Sequence, residues 1–97
     1  EHTEKPFFLT LSWGPPHSPY ETAPEKYQKM FKPENIILRP NIPKKSEKRA
    51  REELAGYYAH IVALDEQIGR LTSTLKATNL AKNTIFAGCN CYWFFLS

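Results

Sequence analysis

The chain has 97 residues, of which 41% are hydrophobic and 24% are charged. This composition is that of a globular protein and argues against a disordered chain, a collagen or a disulfide-rich scaffold, and the length allows at most one small domain. The formal net charge of +3 is too small by itself to indicate a nucleic-acid partner, and no apolar run reaches the about 18 residues that a membrane-spanning helix needs.

The first predicted element is a short strand over residues 6–13, with the sequence PFFLTLSW. The run is aromatic-rich, and it ends at the structure-breaking sequence GPP, which favours a strand over a helix. Its apolar residues alternate only loosely, as is typical of a strand buried on both faces of a parallel sheet.

Residues 14–46 form a long proline-rich connection. Seven of the eight prolines lie between Pro15 and Pro43, and this spacing prevents a long helix. Short helical turns remain possible, for example over residues 24–30. Phe31 and the apolar residues 36–38 indicate an ordered loop that packs against a larger body.

Residues 46–78 are predicted to form one long amphipathic helix. Ser46 is a suitable N-cap, and Asn79 is suited to the left-handed conformation in which many helices end. The apolar residues recur mainly at spacings of three and four; they are Leu54, Tyr57, Tyr58, Ile61, Leu64, Ile68, Leu71 and Leu75.

Small residues on this helix favour close packing against a sheet over a coiled coil. They are Ala50, Ala55, Ala59, Ala63 and Gly69. A second strand is expected to begin at residue 83, and if the two strands are parallel, strand, helix and strand form a right-handed crossover. The predicted fold class is therefore α/β, with the order strand, long proline-rich loop, long helix and strand.

One histidine stands out by its position. His17 lies in the sequence GPPHSP, directly after the first predicted strand, where ligands bind in open α/β sheets. The flanking prolines stiffen its backbone, which suits a catalytic acid or an anion contact. A structural hydrogen bond is the alternative reading of this residue.

Three segments in series resemble the sulfatase family, over roughly residues 5–86. The strand and histidine loop read KPFFLTLSWGPPHSPY over residues 5–20. The long helix reads ELAGYYAHIVALDEQIGRL over residues 53–71, and the start of the next strand reads NLAKNTIF over residues 79–86.

The resemblance implies an alkaline-phosphatase-like α/β fold and the hydrolysis of sulfate esters. Family members use a formylglycine, made from the first residue of a Cys/Ser-x-Pro-x-Arg motif, together with a bound calcium ion. By the same resemblance, His17 would contact the sulfate group and protonate the departing alkoxide. A cation there would stabilise charge that develops in the transition state.

The sequence departs from the family in two places. Neither Cys89 nor Cys91 is followed by x-Pro-x-Arg, and in the family this motif lies well upstream. We therefore expect the chain to begin inside a longer protein and to need the missing remainder of the parent domain as its partner. After Phe86 the family continues with SDHG, which serves the metal, whereas this chain reads AGCN. Residues 1–86 are thus expected to be a partial catalytic domain and residues 87–97 an atypical tail, as a shifted reading frame or an aberrant gene end would produce.

Other polar residues are assigned structural roles. His60 has no second ligand four residues away on the helix, which excludes a helical metal pair, and His2 lies at a ragged end. The basic residues within 44–51 are interpreted as a solvated helix start, with steering of an anionic substrate as the alternative. Packing roles are assigned to Tyr57 and Tyr58, and a structural hydrogen bond or ion pair to Asp65 and Arg70.

The function predicted from the sequence is that of a fragment of a sulfuric ester hydrolase, inactive by itself. Its substrate would be a sulfated small molecule or a sulfated carbohydrate, and neither nucleic acid nor a membrane is expected as a partner. The family resemblance implies export to the periplasm, the lysosome or the exterior. Two alternatives remain: a phosphodiesterase or phosphonate hydrolase of the same superfamily, and a non-catalytic helical interaction module.

Overall fold

The structure, a computed structural model, describes residues 5–88, and within them the regular elements are helical. Two α-helices are present in this part of the chain: α1 over Glu25–Gln28 and α2 over Glu47–Ala77. Four 3-10 helices accompany them, at Tyr20–Thr22, Pro33–Asn35, Lys44–Ser46 and Ala81–Asn83. The chain divides into two compact units, Glu1–Glu66 and Gln67–Ser97, and α2 runs through the boundary between them.

The long helix predicted over residues 46–78 is confirmed by α2, but its start differs from the prediction. Ser46 was expected to cap the helix, and it is instead the last residue of the 3-10 turn Lys44–Ser46, which leads directly into α2. Pro43 precedes this turn with a φ of −62° and accepts a hydrogen bond from the Ser46 N–H at 2.8 Å. The ψ of Pro43 is 138°, so helical geometry begins at the next residue, Lys44, three residues before the start that the capping pattern indicates.

The predicted end of α2 at Asn79 is confirmed. Asn79 has a φ of 60°, in the left-handed region. Its N–H donates to the Lys76 carbonyl oxygen at 3.0 Å, and the Leu80 N–H donates to the Leu75 carbonyl oxygen at 3.0 Å. This pair of bonds is the Schellman motif, which satisfies carbonyl groups that a helix end otherwise leaves unpaired.

The two predicted strands are wrong for the part of the chain that the structure describes: residues 6–13 and 84–88 carry no regular element. A strand exists only when a neighbouring strand completes its backbone hydrogen bonds, and residues 5–88 supply no such neighbour. The apolar side chains of both segments consequently face solvent. Phe8 is 95% exposed and Ile85 is 96% exposed.

The first unit is organised by the packing of the proline-rich segment onto α2. Ala23 and Tyr27 are buried against Ala59 of α2, which is 0% exposed, and Phe31, Val62 and Ala63 surround this cluster. The short turn predicted within residues 24–30 is confirmed by α1, although Pro24 lies at the N-cap and not at the first helical position. The proline-rich connection is thus ordered, as its apolar residues indicated.

The small residues of α2 allow close packing, but against a different partner from the one predicted. Ala55 and Ala59 are buried, and in the described residues their surface is covered by the proline-rich segment instead of a sheet. Among the described residues, nothing lies within 4 Å of the place where a Cβ of Gly69, in the second unit, would be, so close packing at Gly69 stays a prediction.

The second unit contains the end of α2 and the 3-10 helix Ala81–Asn83. Two hydrogen bonds to the Leu80 carbonyl oxygen hold this turn: the Asn83 N–H donates at 3.1 Å, and the Thr84 hydroxyl donates at 2.8 Å. Among the described residues, no helix combines the length and the apolar character needed to cross a membrane.

Candidate functional site

His17 lies at the tip of a turn at the start of the proline-rich segment. Its backbone N–H donates to the Gly14 carbonyl oxygen at 3.1 Å, which closes the turn. The Pro15–Pro16 and Ser18–Pro19 peptide bonds are cis. The side chain of His17 is exposed, so the turn presents the imidazole to the surroundings and does not bury it.

The orientation of the His17 ring is fixed by its own backbone. Nδ1 lies 2.9 Å from the Ser18 carbonyl oxygen. Because a carbonyl oxygen can only accept a hydrogen bond, Nδ1 carries the proton. The structure shows no partner for Nε2 within residues 5–88. This nitrogen accepts a hydrogen bond when the ring is neutral and donates one when the ring is a cation.

The segment that follows the His17 turn is seated on α2. Tyr20 opens the 3-10 helix Tyr20–Thr22, and its backbone passes directly over Gly56 of α2. The Tyr20 ring meets the Tyr57 ring edge-on, with centroids 6.1 Å apart, a geometry that aromatic pairs favour. The residues just after the His17 turn are therefore held against α2.

The tyrosine pair of α2 has the packing role that the sequence predicts. Tyr57 packs on Tyr20, and Tyr58 packs on Phe31 with ring centroids 5.8 Å apart. Both contacts hold the proline-rich segment against the helix, and neither ring needs a chemical role to explain its place.

His60 is the one buried charged or polar residue in the described part of the chain, with 3% of its surface exposed. Its Nε2 lies 3.3 Å from the Thr22 hydroxyl oxygen and 3.4 Å from the Pro19 carbonyl oxygen. The sequence excluded a helical metal pair at His60 but did not predict this contact. The sequence could have indicated a buried hydrogen bond here, because His60 is a polar residue on a helix face that otherwise carries the small residues Gly56, Ala59 and Ala63.

A cluster of polar side chains joins α1 to α2 beyond the loop. The Tyr27 hydroxyl donates to Glu66 Oε2 at 2.8 Å, and the Lys26 ammonium contacts both carboxylate oxygens at 2.9 and 3.0 Å. The Tyr27 side chain and then the Glu66 carboxylate raise the pKa of Lys26 above its ordinary value of 10.5. This arrangement holds the two helices together.

The basic residues at the start of α2 behave as the solvated helix start that the sequence predicts. Arg49 Nε donates to Glu53 Oε1 at 2.7 Å, and Lys48 lies 4.0 Å from Glu52. Arg51 differs, because its guanidinium donates to the Ile36 carbonyl oxygen and ties the proline-rich segment to the helix. These contacts neutralise or occupy much of the basic charge.

Of the remaining predicted polar positions, Arg70 has a structural role, Asp65 is exposed, and the others lie outside the described residues. Arg70 donates to Gln67 Oε1 at 2.8 Å, as a structural hydrogen bond on the helix surface. The cysteines Cys89 and Cys91, His2 and most of the predicted tail fall outside the described residues.

The residues that the structure describes do not fit the calcium ion that the family resemblance implies. Within residues 5–88, no group of three His, Cys, Asp or Glu side chains comes together closely enough to hold a metal ion. The complete sequence also lacks a Cys/Ser-x-Pro-x-Arg motif from which a formylglycine could be made. No chemical step is therefore assigned to either group in this chain.

Comparison with known proteins identifies relatives over most of the chain. An ulvan-active sulfatase of Formosa agariphila is 49% identical over 82 residues, which are 84% of this chain and 16% of that protein. An endo-4-O-sulfatase of Bacteroides thetaiotaomicron is 32% identical over 89 residues, with 86% of this chain and 17% of that protein covered. An arylsulfatase of Clostridium perfringens is 34% identical over 104 residues, with 84% and 21% covered.

The chain thus spans about a fifth or less of the length of these relatives. No solved structure matches it significantly. The sulfatase family profile matches residues 1–87, a range that includes the His17 turn, the proline-rich segment and the whole of α2. By this match the chain belongs to the sulfatase family.

Proposed function

We propose that this chain is part of the catalytic domain of a sulfuric ester hydrolase and that it supplies His17 to the sulfate group of the substrate. The observation that supports the activity is the family match over residues 1–87 together with relatives that are all named sulfatases. The observation that supports His17 is its geometry, since an exposed imidazole stands on a turn whose following residues are fixed to α2.

The proposed chemistry of His17 follows from the state of its two nitrogens. Nδ1 is engaged with the Ser18 carbonyl oxygen, so Nε2 is the nitrogen directed to the substrate. As an imidazolium, the ring donates from Nε2 to a sulfate oxygen and then passes that proton to the departing alkoxide. General acid catalysis of this kind accelerates reactions by about 10²–10⁴-fold.

The rest of the domain would come from outside these residues. The nucleophile and the calcium ligands belong to the remainder of the protein in this proposal. Residues 6–13 and 84–86 would become strands once that remainder supplies neighbouring strands of an alkaline-phosphatase-like sheet. Burial of their exposed apolar side chains, Phe8 and Ile85 among them, would drive that association.

The proposed substrate class is a sulfated carbohydrate or a sulfated small molecule. Of the relatives, one is named as active on ulvan, another as an iduronate 2-sulfatase and a third as an arylsulfatase. The proline-rich segment would form part of the rim that contacts the substrate. Export from the cytoplasm is proposed on the same family grounds.

The test uses the full-length protein, that is, the product of the complete reading frame that contains this chain. We expect it to carry a Cys/Ser-x-Pro-x-Arg motif upstream of Glu1 and to hydrolyse an aryl sulfate in preference to an aryl phosphate. Replacement of His17 by Ala should lower kcat by about 10²–10⁴-fold, and the unfolding temperature should stay unchanged because the side chain is exposed.

The control is Lys82→Ala, which removes an exposed side chain outside the proline-rich segment and should leave kcat unchanged. A preference for the phosphate ester would replace the sulfatase proposal by a phosphodiesterase or phosphonate hydrolase. A His17→Ala variant with unaltered kcat would refute the role of His17 while leaving the activity in place.

A further inference from the structure

His60 is a buried polar side chain on a helix face that is otherwise built of small residues. It is 3% exposed and stands beside Ala59, which is fully buried. A polar group in such a place lowers stability unless a hydrogen bond compensates for the lost water. Its partners therefore indicate what the residue is for.

The hydrogen bonds of His60 converge on one carbonyl group. The Thr22 hydroxyl donates to the Pro19 carbonyl oxygen at 2.8 Å, so its oxygen is left to accept. His60 Nε2 lies 3.3 Å from that hydroxyl oxygen and 3.4 Å from the Pro19 carbonyl oxygen. Both neighbours accept from the ring, which places a proton on Nε2.

The carbonyl group held by His60 is adjacent to the one that holds His17. His17 Nδ1 bonds to the Ser18 carbonyl oxygen at 2.9 Å, and Pro19 is the next residue along the chain. Two histidines thus bond to successive carbonyl groups, His17 from the exposed side and His60 from the helix. The proline ring fixes the φ of Pro19, so one free backbone dihedral separates the two carbonyl groups, and a shift of the Pro19 backbone is passed on to the Ser18 carbonyl and the His17 ring.

We infer that His60 is a positioning residue for His17: through Thr22 and Pro19 it holds the backbone that sets where the His17 imidazole points. This inference rests on the proposed function of His17. A displacement of about 1 Å at a reacting group can lower a rate by about 10²-fold. The hydrogen bonds of His60 to Thr22 and Pro19, which we call the anchor, would therefore affect kcat as well as stability.

The experiment is a set of substitutions in the full-length protein, assayed with an aryl sulfate. Two variants break the anchor from opposite sides, His60→Leu and Thr22→Val, and each should lower kcat about 10-fold or more with a smaller change in KM. Thr22→Ser keeps the hydroxyl and should restore kcat to near that of the unmodified protein. If His60→Leu fails to fold, Thr22→Val and Thr22→Ser decide the matter.

The matched control is Tyr27→Phe. It removes a hydrogen bond between α1 and α2, from the Tyr27 hydroxyl to Glu66, and it keeps the buried ring. A loss of stability with unchanged kcat is expected for this variant. If His60→Leu and Thr22→Val behave in the same way as Tyr27→Phe, the role of His60 is structural and the inference is overturned.

Two further measurements separate this inference from the proposed function of His17. In a His17→Ala background, Thr22→Val should lower kcat no further, because the anchor acts through His17; an undiminished second loss would overturn the inference. The ¹⁵N signals of the His17 ring report its tautomer directly. These signals should change in His60→Leu even if the kinetics of His17→Ala show that His17 is not catalytic. Unchanged signals would refute the inference that His60 positions the His17 ring.

Discussion

Gly56 of α2 lies directly beneath the backbone of Tyr20. A Cβ at position 56 would stand 2.5 Å from the Tyr20 carbonyl oxygen and 2.8 Å from the Tyr20 Cβ, distances that real side chains do not tolerate. The helix therefore needs a residue without a side chain where the segment after the His17 turn crosses it. The same face of α2 carries His60, so the close approach and the hydrogen-bonded anchor act on one short stretch of chain.

Replacement of Gly56 by Ala is expected to destabilise the full-length protein by about 1–3 kcal/mol, because the Tyr20 backbone must move away from the new methyl group. Alanine favours helix formation over glycine by about 0.5–1 kcal/mol, but this gain is smaller than the cost of the clash. Chemical denaturation followed by circular dichroism measures the free energy of unfolding.

Gly69→Ala is the control for this substitution. Gly69 occupies the same helix and has open space within residues 5–88 where its Cβ would be, so the gain in helix propensity is the effect expected there. We expect a rise in stability of about 0.5–1 kcal/mol. If both glycines respond alike to alanine, the contact between Gly56 and Tyr20 is not formed.

Asn79 is expected to be replaceable by glycine and not by alanine. Its φ of 60° is free of strain for glycine, but costs about 1–2 kcal/mol for an ordinary side chain. Asn79→Ala should therefore lower the melting temperature, and Asn79→Gly should keep or raise it. Asn83→Ala, at an exposed position of the 3-10 helix Ala81–Asn83, should have little effect; an equal loss in both alanine variants would contradict the prediction.

The contact of Lys26 with Tyr27 and Glu66 is expected to give a stability contribution that is lost at high pH. The pKa of Lys26 is raised in the folded protein above its ordinary value of 10.5. A raised pKa means that the folded state binds the proton more tightly, so the contribution is complete below the unfolded pKa and disappears as the pH rises through the folded pKa.

The measurement compares the unfolding of the unmodified protein with that of Lys26→Met from about pH 8 to about pH 12. The difference in stability should be constant at the lower end and should shrink above the ordinary lysine pKa. Because Lys26 is well exposed, added salt should also reduce the difference. A difference that persists at the highest pH would show that packing of the methylene groups, and not the charge, stabilises this contact.

The 97 residues expressed by themselves are expected to be inactive and poorly soluble. Large apolar side chains are exposed in residues 7–13, among them Phe7, Phe8 and Leu9, and exposed apolar segments with strand propensity promote aggregation. Size-exclusion chromatography, circular dichroism and an aryl sulfate assay test this, with α2 as the most persistent element. A monomeric chain that hydrolysed an aryl sulfate, and lost that activity on His17→Ala, would prove the expectation wrong.

Much of the helical structure could be predicted from the sequence because its determinants are local. The repeat of apolar residues gave α2 to within one residue at each end, and the suitability of Asn79 for a positive φ gave its termination. The proline pattern gave the short turn at α1. Spacing and side-chain type suffice wherever hydrogen bonds join residues three or four apart.

The contacts around the candidate site were decided by tertiary structure. His60 and Thr22 are 38 residues apart, and no local pattern reveals that a histidine on a helix will meet a particular carbonyl group of a distant loop. The strand prediction was wrong because strand formation also depends on non-local contacts. Residues 6–13 have the composition of a strand, but the described residues contain no neighbouring strand to pair with them. The sequence by itself determined a long helix, an ordered proline-rich segment and membership of the sulfatase family. The packing of Tyr20 on Gly56 and the hydrogen bonds of His60 to the segment after the His17 turn exist only because folding brings distant residues into contact.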